Sequence, residues 1–544
     1  MMKKVINKYL VVIGLVFLMA AGAGVRFFHL ATNPVMLNRD EAALAYNAFL
    51  LKEAGVDEWQ QPWPLALQSF GDYKLPGYIW LTILSFAAFG YSDWAVRVPA
   101  AVAGTLLILV TYWLTRRLNW EKHWSILAAA LIAFLPVFVF YSRMAWEANV
   151  SLLLTVLSLG LIWFQPDKRL HSHREDLVGT GILLWSVFTY NTPFLLLPFL
   201  IVILPLRRGW KQLDRWLWVV MGLLIVFALA AVVQLPISTQ KSGITLFSDQ
   251  NVWLASVEYR QQFTGVAQTV LGNKYVFLAQ LLAQKWWGSF SPHFMVIKGG
   301  DHPWHQLPGY AHFFWDSYLL SLIGVVTLFV MTIKKSLATF SQTFTLSQVQ
   351  LSQDGLSLYL LLISLLPAII TVDAPHATRS LLFFFLLIIN GVAGARHLIK
   401  VLASPAREGQ LSLAIIVVFI LSTTVQFTQY FAHYLQEYPR QSYFNFQGGY
   451  PELITKLDQD YPHKEIAIVD GPGFQYVVTA WYLKTSPQEF FDTIIRQQPD
   501  KLGFRYGQQL QQFHFIADDD DRSDKEGIVV EWNRDNSEWI VKEY

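Results

Sequence analysis

Long stretches without a charged residue recur along most of this chain. A helix needs about 20 mostly apolar residues to cross the hydrocarbon core of a bilayer. Runs of that order stand at 9–25, 98–115, 124–142, 148–165, 177–206, 217–235, 317–333, 355–372, 380–395 and 411–428. Only 15% of the 544 residues are charged, against about a quarter in an average soluble protein. The sequence therefore predicts a polytopic α-helical membrane protein.

The basic residues that separate alternate apolar runs set the predicted topology, because positively charged loops stay in the cytoplasm. They are Lys3, Lys4 and Lys8, then Arg116, Arg117 and Lys122, Lys168, Arg169 and Arg174, Arg207, Arg208, Lys211 and Arg215, Lys334 and Lys335, and Arg396, Lys400 and Arg407. Placing all of them inside predicts a cytoplasmic amino terminus and an external carboxyl terminus. The net charge of +2 gives no sign of nucleic-acid binding, and the absence of cysteine excludes disulfides and thiol chemistry.

Two segments decide whether this topology is consistent. The apolar run 75–92 must not cross, since one extra span there would place Arg116 and Arg117 outside; it is predicted to lie in the outer interface. The run 177–206 must cross twice, with a turn at the break Tyr190-Asn191-Thr192-Pro193, because proline interrupts the helical hydrogen bonds. The prediction is about eleven to thirteen transmembrane helices.

A change of composition marks a second part of the chain. Residues 1–428 form the predicted transmembrane domain, with external loops at 31–95 and 236–312. Residues 429–544 are more polar and alternate between helical and strand patterns, with strands predicted at EIAIVD, HFIAD, IVVEW and WIVKE. They are predicted to form a small extracytoplasmic α/β domain.

The acidic pair Asp40-Glu41 follows the first apolar run, so both carboxylates should emerge at the outer membrane surface. A carboxylate shielded by apolar neighbours can act as a general base toward a hydroxyl. The structural alternative is that an acidic residue stabilises a helix amino terminus behind Asn38. This accounts for one acid better than for two.

The segment Asp72-Tyr73-Lys74 precedes Pro76 and the predicted interfacial helix. Lys74 there is either a cation that holds a phosphate at the headgroup level or a side chain that reaches toward lipid phosphates without a specific role. Tyr73 and Asp72 are candidate substrate-binding neighbours.

Two short external loops carry further candidates. Arg143 and Glu147 are four residues apart and either pair with each other on a helix or face the same cavity as Asp40. His376 and Arg379 are three apart, and Arg379 is either a phosphate ligand or an ordinary interfacial arginine.

The long external loop is rich in aromatic and histidine residues, which suit sugar faces and membrane interfaces alike. His293 is a candidate substrate-binding residue there. Asp301, His302 and His305 have metal-binding side chains, but three loop residues are a weak signal, and the sequence predicts no required metal.

The order of these motifs resembles the GT-C membrane glycosyltransferases, specifically the bacterial protein O-mannosyltransferase and aminoarabinose transferase superfamily. The resemblance covers about the first 450 residues. It rests on Asp40-Glu41 after the first span, FGDYKLPGYIWLT, AVRVPAAVAG, SRMAWEAN, FSPHFMVIKGGDHPWHQLPG, DAPHATRS and FNFQGGYPELI. Each motif alone is loose; their order is more specific.

The resemblance implies an enzyme that moves a single sugar, with inversion, from a polyprenyl phosphate donor to a hydroxyl acceptor on the outer face of the bacterial cytoplasmic membrane. It implies that Asp40 is the catalytic base and Lys74 a phosphate ligand. Many members have aspartate where this chain has Glu147, which leaves the role of Glu147 less defined. No cofactor is implied, and the acceptor can be a glycolipid, a protein or a cell-wall polymer.

Two other functions remain open from the sequence. A ligase or polymerase of lipid-linked oligosaccharides would use the same donor chemistry. A secondary transporter would need charged or broken segments near the bilayer midplane, often in repeated halves. Here the charges cluster at one predicted surface, which favours an enzyme.

Overall fold

Apolar helices dominate the computed structural model, which describes the chain except for residues 1, 71, 165–172, 209–214, 235–244, 341–350, 405, 471–472, 501–503, 518–526 and 544. The helices up to residue 436 are α1 (Met2–Phe27), α2 (Arg39–Ala54), α3 (Pro76–Phe89), α4 (Asp93–Arg117), α5 (Lys122–Phe134), α6 (Pro136–Phe140), α7 (Glu147–Ile162), α8 (His173–Thr189), α9 (Asn191–Arg208), α10 (Arg215–Gln234), α11 (Gln250–Gln261), α12 (Gly265–Val270), α13 (Lys274–Phe290), α14 (Trp315–Phe340), α15 (Gln353–Ile363), α16 (Leu366–Ile369), α17 (Leu381–Leu402) and α18 (Glu408–Gln436).

Among the described residues, five helical segments are long and apolar enough to cross a membrane: Asp93–Arg117, Asn191–Arg208, Trp315–Lys335, Thr378–Leu402 and Glu408–Gln436. Further apolar segments of 10–17 residues are Val11–Phe27, Pro76–Phe89, Lys122–Phe134, Glu147–Ile162, Arg215–Phe227 and Gln353–Ile369. The chain is a multi-pass membrane protein, as its apolar runs predicted. The number of spans stays a prediction.

Ion pairs join helix ends at one end of the bundle. Arg117, the last residue of α4, pairs with Glu175 near the start of α8, with 2.5 Å between nitrogen and oxygen. Arg208, the last residue of α9, pairs with Asp176 at 3.0 Å. Because the start of α8 meets the end of α9, the two helices turn back at Tyr190, where the sequence predicted a break.

The same end holds other basic residues of the predicted cytoplasmic set. Arg396 and Lys400 of α17 both bind Glu121, at 2.5 and 2.8 Å. Lys168, Arg169 and Lys211 lie outside the described residues. We call this end of the bundle the Arg117 end.

The helix α3 lies at the opposite end. Its 14 residues measure about 21 Å, which is too short for a span. Its first turn touches the end of α8, where a Cβ atom on Gly77 would lie 2.3 Å from Oγ1 of Thr189. Only glycine permits this approach, and it brings the segment after Lys74 against the break at Tyr190. The interfacial position of α3 stays a prediction.

The first predicted external loop is built on α2. Asn38 accepts hydrogen bonds from the backbone nitrogens of Asp40 and Glu41 at 2.9 and 3.0 Å, and Glu41 accepts one from Asn38 at 3.1 Å. This capping box satisfies backbone donors at the helix start. A two-stranded hairpin follows, in which β1 (Leu67–Ser69) pairs antiparallel with β2 (Asp72–Lys74).

The carboxyl-terminal part is α/β, as the sequence predicted. After α18, which runs past the predicted boundary at 429, come α19 (Tyr438–Phe446), α20 (Tyr450–Asp460), β3 (Ile466–Val469), α21 (Gln475–Tyr482), α22 (Pro487–Thr493), β4 (Ile495–Arg496), β5 (Gly507–Leu510), β6 (Phe513–Ile516), β7 (Ile528–Asn533) and β8 (Glu538–Glu543). The sheet order is β4-β5-β6-β3-β7-β8, and β3 is parallel to both of its neighbours. Its status as a separate domain stays a prediction.

Buried polar contacts fasten this α/β part to the first loop. Glu58 is fully buried; its carboxylate accepts hydrogen bonds from the Tyr476 hydroxyl and the Phe70 nitrogen, each at 3.0 Å. Arg496 donates to the Glu58 carbonyl at 2.7 Å. We call these four residues the Glu58 clasp. It holds the chain at the turn between β1 and β2.

A second contact reaches the start of α4. Asp93 accepts hydrogen bonds from the Trp481 indole and the Tyr482 hydroxyl, both at 2.8 Å. Asp93 and Arg117 are the two ends of one 25-residue helix, about 37 Å long. The α/β part therefore lies at the end of the bundle opposite Arg117, together with α3.

Candidate active site

The ion pair between Asp40 and Lys74 is the centre of the candidate site. The Nζ atom of Lys74 lies 2.5 Å from Oδ1 of Asp40 and 3.5 Å from Oδ2 of Asp72. Asp40 lies in the first turn of α2. Asp72 is the first residue of the hairpin strand β2, and Lys74 is its last. Burial alone would lower the pKa of the Lys74 ammonium, but the two aspartates outweigh it and raise that pKa above its usual value. Lys74 therefore stays charged.

Strand geometry separates Tyr73 from its two neighbours. Successive side chains of a strand point to opposite faces, so Asp72 and Lys74 share a face that Tyr73 does not. The structure thus brings two of the three predicted residues of this segment to Asp40.

Glu147 joins the site from a different part of the chain. It is the first residue of α7, and it interacts electrostatically with Lys74, Asp40 and Asp72. The predicted alternative, an ion pair with Arg143, is not formed. Two carboxylates thus pair with the ammonium group of Lys74, and the charge of a third, Glu147, acts on it.

Tyr190 connects this cluster to the loop before α17. Charges on Arg379, Glu147, Asp373 and Lys74 all act on its phenol. The sequence had marked Tyr190 only as part of a helix break. The helix break that turns the chain also brings Tyr190 to the site. A tyrosine at a break between two apolar helices is therefore the sequence signal from which this residue could have been predicted.

Arg379 is held in a small network of its own loop. Its guanidinium donates to Asp373 at 2.5 Å and to the Thr371 hydroxyl at 2.8 Å, and His376 lies 3.5 Å from the same aspartate. Arg379 lowers the pKa of Asp373 although burial opposes this shift. Burial, and then the charge of Arg379, lower the pKa of His376 to about 4. His376 is therefore neutral near pH 7.

Glu41 has a different environment from Asp40. Its side chain is fully buried, and both oxygens accept hydrogen bonds from Arg97, at 3.0 and 3.1 Å. It also accepts one from the Ala145 nitrogen at 2.7 Å. These contacts tie α2 to α4 and to the loop before α7. We therefore assign to Glu41, predicted as catalytic, the positioning of its neighbour Asp40.

Arg143 also has structural contacts. It is fully buried and donates to the backbone carbonyls of Val25 and Phe28, at 2.5 and 2.7 Å. Its guanidinium lies 4.6 Å from the ring centre of Tyr434. It holds the end of α1 against α18, and substrate binding by Arg143 does not fit this environment.

Two histidines of the long loop, His302 and His305, belong to a cluster of tilted and edge-to-face rings beside the site. The ring of His305 lies 4.8 Å from that of His376, 4.7 Å from that of His302 and 4.8 Å from that of Trp146. Its Nδ1 lies 3.1 Å from the Thr378 hydroxyl. Burial, together with the positive charge on neighbouring groups, holds the pKa of His305 well below its usual range. The imidazole rings of His305 and His376 are therefore neutral near pH 7.

The other predictions for the long loop concern a metal site and His293. Asp301 pairs with Lys298 at 2.6 Å with its carboxylate exposed, away from the contact that His305 makes with Thr378. The described residues contain no group of three metal-binding side chains. His293 is exposed in a short π-helical turn, His293–Ile297, and none of the hydrogen bonds or ion pairs between described residues joins its imidazole to the site.

A small cavity lies beside the site, between α7, α9 and α17. Half of its lining residues are apolar and half carry hydroxyl groups: Ala148, Leu152, Pro193, Leu381 and Leu382, and Ser151, Thr155, Tyr190, Thr192 and Thr378. Tyr190 lies in both this cavity and the charged cluster, so the cavity adjoins the polar groups.

The fold is that of the GT-C class of membrane glycosyltransferases. The oligosaccharyltransferase of Archaeoglobus fulgidus in its apo form superimposes with a TM-score of 0.52 at 12% identity, over 88% of this chain and 64% of that one. The same enzyme with an inhibitory peptide and a dolichol-phosphate gives 0.50 at 13% identity, with the same coverage. This chain thus spans less than two thirds of the archaeal enzyme.

Residues 74–234 match the family described as dolichyl-phosphate-mannose-protein mannosyltransferase. ArnT from Cupriavidus metallidurans bound to undecaprenyl phosphate matches with a TM-score of 0.42 at 15% identity, over 86% of this chain and 84% of that one. The family match over residues 74–234 and the GT-C fold agree with the resemblance that the order of the motifs indicated.

Proposed function

We propose that this protein transfers a single sugar from a polyprenyl phosphate donor to a hydroxyl acceptor, with inversion at the anomeric carbon. The observation that carries the proposal is the convergence of Asp40, Lys74, Glu147, Tyr190 and Arg379 at one end of the helix bundle. They come from separate segments of the chain, and a small cavity adjoins them.

The chemistry needs a base and a counter-charge. Asp40 accepts the proton of the acceptor hydroxyl while its oxygen attacks the anomeric carbon. The bond from that carbon to the phosphate oxygen breaks, and the electron pair leaves with the polyprenyl phosphate. Lys74 and Arg379 stabilise the phosphate, where negative charge develops.

The ion pair between Asp40 and Lys74 requires a movement before this reaction. In an inverting displacement the base and the leaving group lie on opposite sides of the anomeric carbon, whereas the two side chains touch here. A lysine side chain has four rotatable bonds. Lys74 therefore turns from Asp40 toward the donor phosphate, and this releases the carboxylate to act as a base.

Glu147 fits a supporting role in this scheme. Its electrostatic interaction with Lys74 gives the ammonium group a further acidic neighbour beside Asp72 while Asp40 is engaged with the acceptor.

The positive-inside rule supports an orientation for this site. Since the Arg117 end collects the basic residues, the site at the opposite end would face the periplasm or exterior of a bacterial cytoplasmic membrane. This is the side on which a glycolipid, a protein or a cell-wall polymer can serve as acceptor.

The test is a transfer assay with the purified protein in lipid nanodiscs and a panel of polyprenyl phosphate monosaccharides. We expect release of polyprenyl phosphate and an acceptor whose mass has increased by one sugar residue. An increase by a whole oligosaccharide from a lipid-linked oligosaccharide donor would instead identify a ligase. Uptake of free solute into sealed vesicles, without release of polyprenyl phosphate, would identify a transporter.

A further inference from the structure

Arg39, next to Asp40, is held between two aromatic rings. The carbon at the centre of its guanidinium lies 4.0 Å from the ring centre of Phe474 and 5.1 Å from that of Trp304. Phe474 belongs to the α/β part and Trp304 to the long loop. Three distant segments therefore define the position of one cation.

Among the described residues, the guanidinium of Arg39 forms no hydrogen bond and no ion pair. Arginine has five N–H donors in one plane. Aromatic rings attract its faces and leave the donors at its edge free. Lys74 and Arg379, in contrast, each have an aspartate partner. Arg39 is thus a positioned cation whose hydrogen-bonding capacity is unused.

The surroundings of Arg39 suit a polar ligand. The indole nitrogen of Trp304 donates to the Asn445 carbonyl at 3.2 Å, which fixes the ring. The ring of His302 meets that of Trp304 edge to face, with 5.2 Å between ring centres, and the charges of Arg39 and Asp40 both act on His302. Arg39, next to Asp40, is therefore surrounded by aromatic and hydrogen-bonding groups.

Arg39 and Lys74 lie over different rings of one aromatic pair. The ring of Phe474, which Arg39 contacts, lies 4.8 Å from that of Phe70, and Lys74 lies 5.6 Å from the Phe70 ring centre. A phosphate held by Lys74 and an anion held by Arg39 would therefore lie beside different rings.

We infer that Arg39 binds an anionic group of the acceptor, so that the acceptor is a hydroxyl compound that also carries a phosphate or a carboxylate. This inference rests on the proposed function, which assigns the donor phosphate to Lys74 and Arg379. Because Arg39 directly precedes Asp40, an anion bound there brings a nearby hydroxyl to the base. Trp304 offers a flat surface for a sugar ring that bears the anion.

The first experiment measures binding, because it does not depend on transfer. The donor site is filled with saturating polyprenyl phosphate, and the probes are octyl β-glucoside, octyl β-glucoside 6-phosphate and octyl β-glucuronide. Hydrogen bonds to charged groups predict that at least one charged probe binds roughly 10- to 100-fold more tightly than the neutral one. The preferred probe distinguishes phosphate from carboxylate. Equal affinity for all three would overturn the inference.

Variants then assign the effect to Arg39. Arg39→Gln should lose the preference for the charged probe while its affinity for octyl β-glucoside stays at the wild-type value, and Arg39→Lys should keep part of the preference. Arg505→Gln is the matched control, because Arg505 also lies over a tryptophan, Trp59, at 5.8 Å, but its side chain is exposed. An unchanged preference in Arg39→Gln would refute the assignment.

Transfer assays separate this inference from the proposed function. If Arg39→Gln raises the donor KM equally with every acceptor, Arg39 is a donor ligand and the inference fails while the enzyme remains. A fall in melting temperature, with all probes affected alike, would make Arg39 a structural clamp. Selective binding of a charged probe by a protein that transfers no sugar would overturn the proposed function and leave an anion site.

Discussion

The ammonium group of Lys74 lies 2.5 Å from a carboxylate oxygen of Asp40, so the proposed phosphate ligand and the proposed base neutralise each other in the free protein. Neither group is available for its task until the pair separates. A donor phosphate that attracts Lys74 would also free Asp40. Donor binding would in this way prepare the base, and hydroxyl activation without a donor would be suppressed.

Replacement of the base is the first prediction. Asp40→Asn should lower kcat roughly 10²- to 10⁴-fold, the usual contribution of a general base. Donor affinity should be equal to or greater than that of wild type, because Lys74 loses the carboxylate with which the phosphate competes. Turnover is measured with purified variants, and Glu53→Gln, an exposed carboxylate of the same helix, is the control. Wild-type turnover in Asp40→Asn would exclude Asp40 as the base.

Charge at position 74 is the second prediction. Lys74→Ala should raise the donor KM roughly 10- to 100-fold through loss of a charged hydrogen bond, whereas Lys74→Arg should raise it much less. Lys52→Ala removes an exposed lysine that pairs with Glu53 and should leave the donor KM unchanged. An equal loss in both Lys74 variants would indicate packing instead of phosphate binding.

The Glu58 clasp supports a third prediction. Tyr476→Phe removes a hydrogen bond to a buried carboxylate, which costs about 1–3 kcal/mol of stability. Because the clasp holds the turn before Lys74, the donor KM should rise more than kcat falls. Tyr461→Phe is the matched control, since the Tyr461 hydroxyl donates to Glu543 at the surface at 2.7 Å. The same donor KM in both variants would show that the α/β part does not position Lys74.

Acid sensitivity is the fourth prediction. Burial lowers the pKa of His376 to about 4 from 6.5, so between these values the unfolded chain binds a proton that the folded protein does not. Stability should therefore fall as the pH drops from 6.5 toward 4. Melting temperatures in detergent should show a smaller fall for His376→Gln than for wild type. Exposed His463→Gln should keep the wild-type fall, and an identical fall in all three proteins would contradict the assignment.

Sidedness is the fifth prediction. The chain has no cysteine, so single cysteines report access directly. Asp93 is bound to Trp481 and Tyr482, which makes its exposed neighbour Ser92 the better site. An impermeant thiol reagent on intact cells should label Ser92→Cys and spare Lys122→Cys. The reverse pattern would place the site on the cytoplasmic side and remove the basis for an external acceptor.

Part of the site could be predicted from local sequence because its signals are local. Asp40 follows an apolar run, and Lys74 precedes a proline at a helix start. These signals singled out two residues that form an ion pair in the structure. The adjacent Glu41 looked equivalent, because neighbours in sequence share composition and helix position. Only the approach of Arg97, 56 positions away, separates their environments. The buried contacts of Arg143 are equally non-local, since its partners are backbone carbonyls at and after the end of α1.

The sequence by itself determined that the chain enters a membrane, which end of its helices collects the basic residues, and the order of motifs that identifies the GT-C class. These properties follow from composition and from motifs that can each be recognised within a short stretch of sequence. The tertiary structure decided which acid faces Lys74, that Tyr190 joins the site, and that Arg39 is held by Phe474 and Trp304. It also decided that Tyr476, 418 positions from Glu58, anchors the first loop. Such contacts depend on how distant segments pack, and no local pattern of residues encodes them.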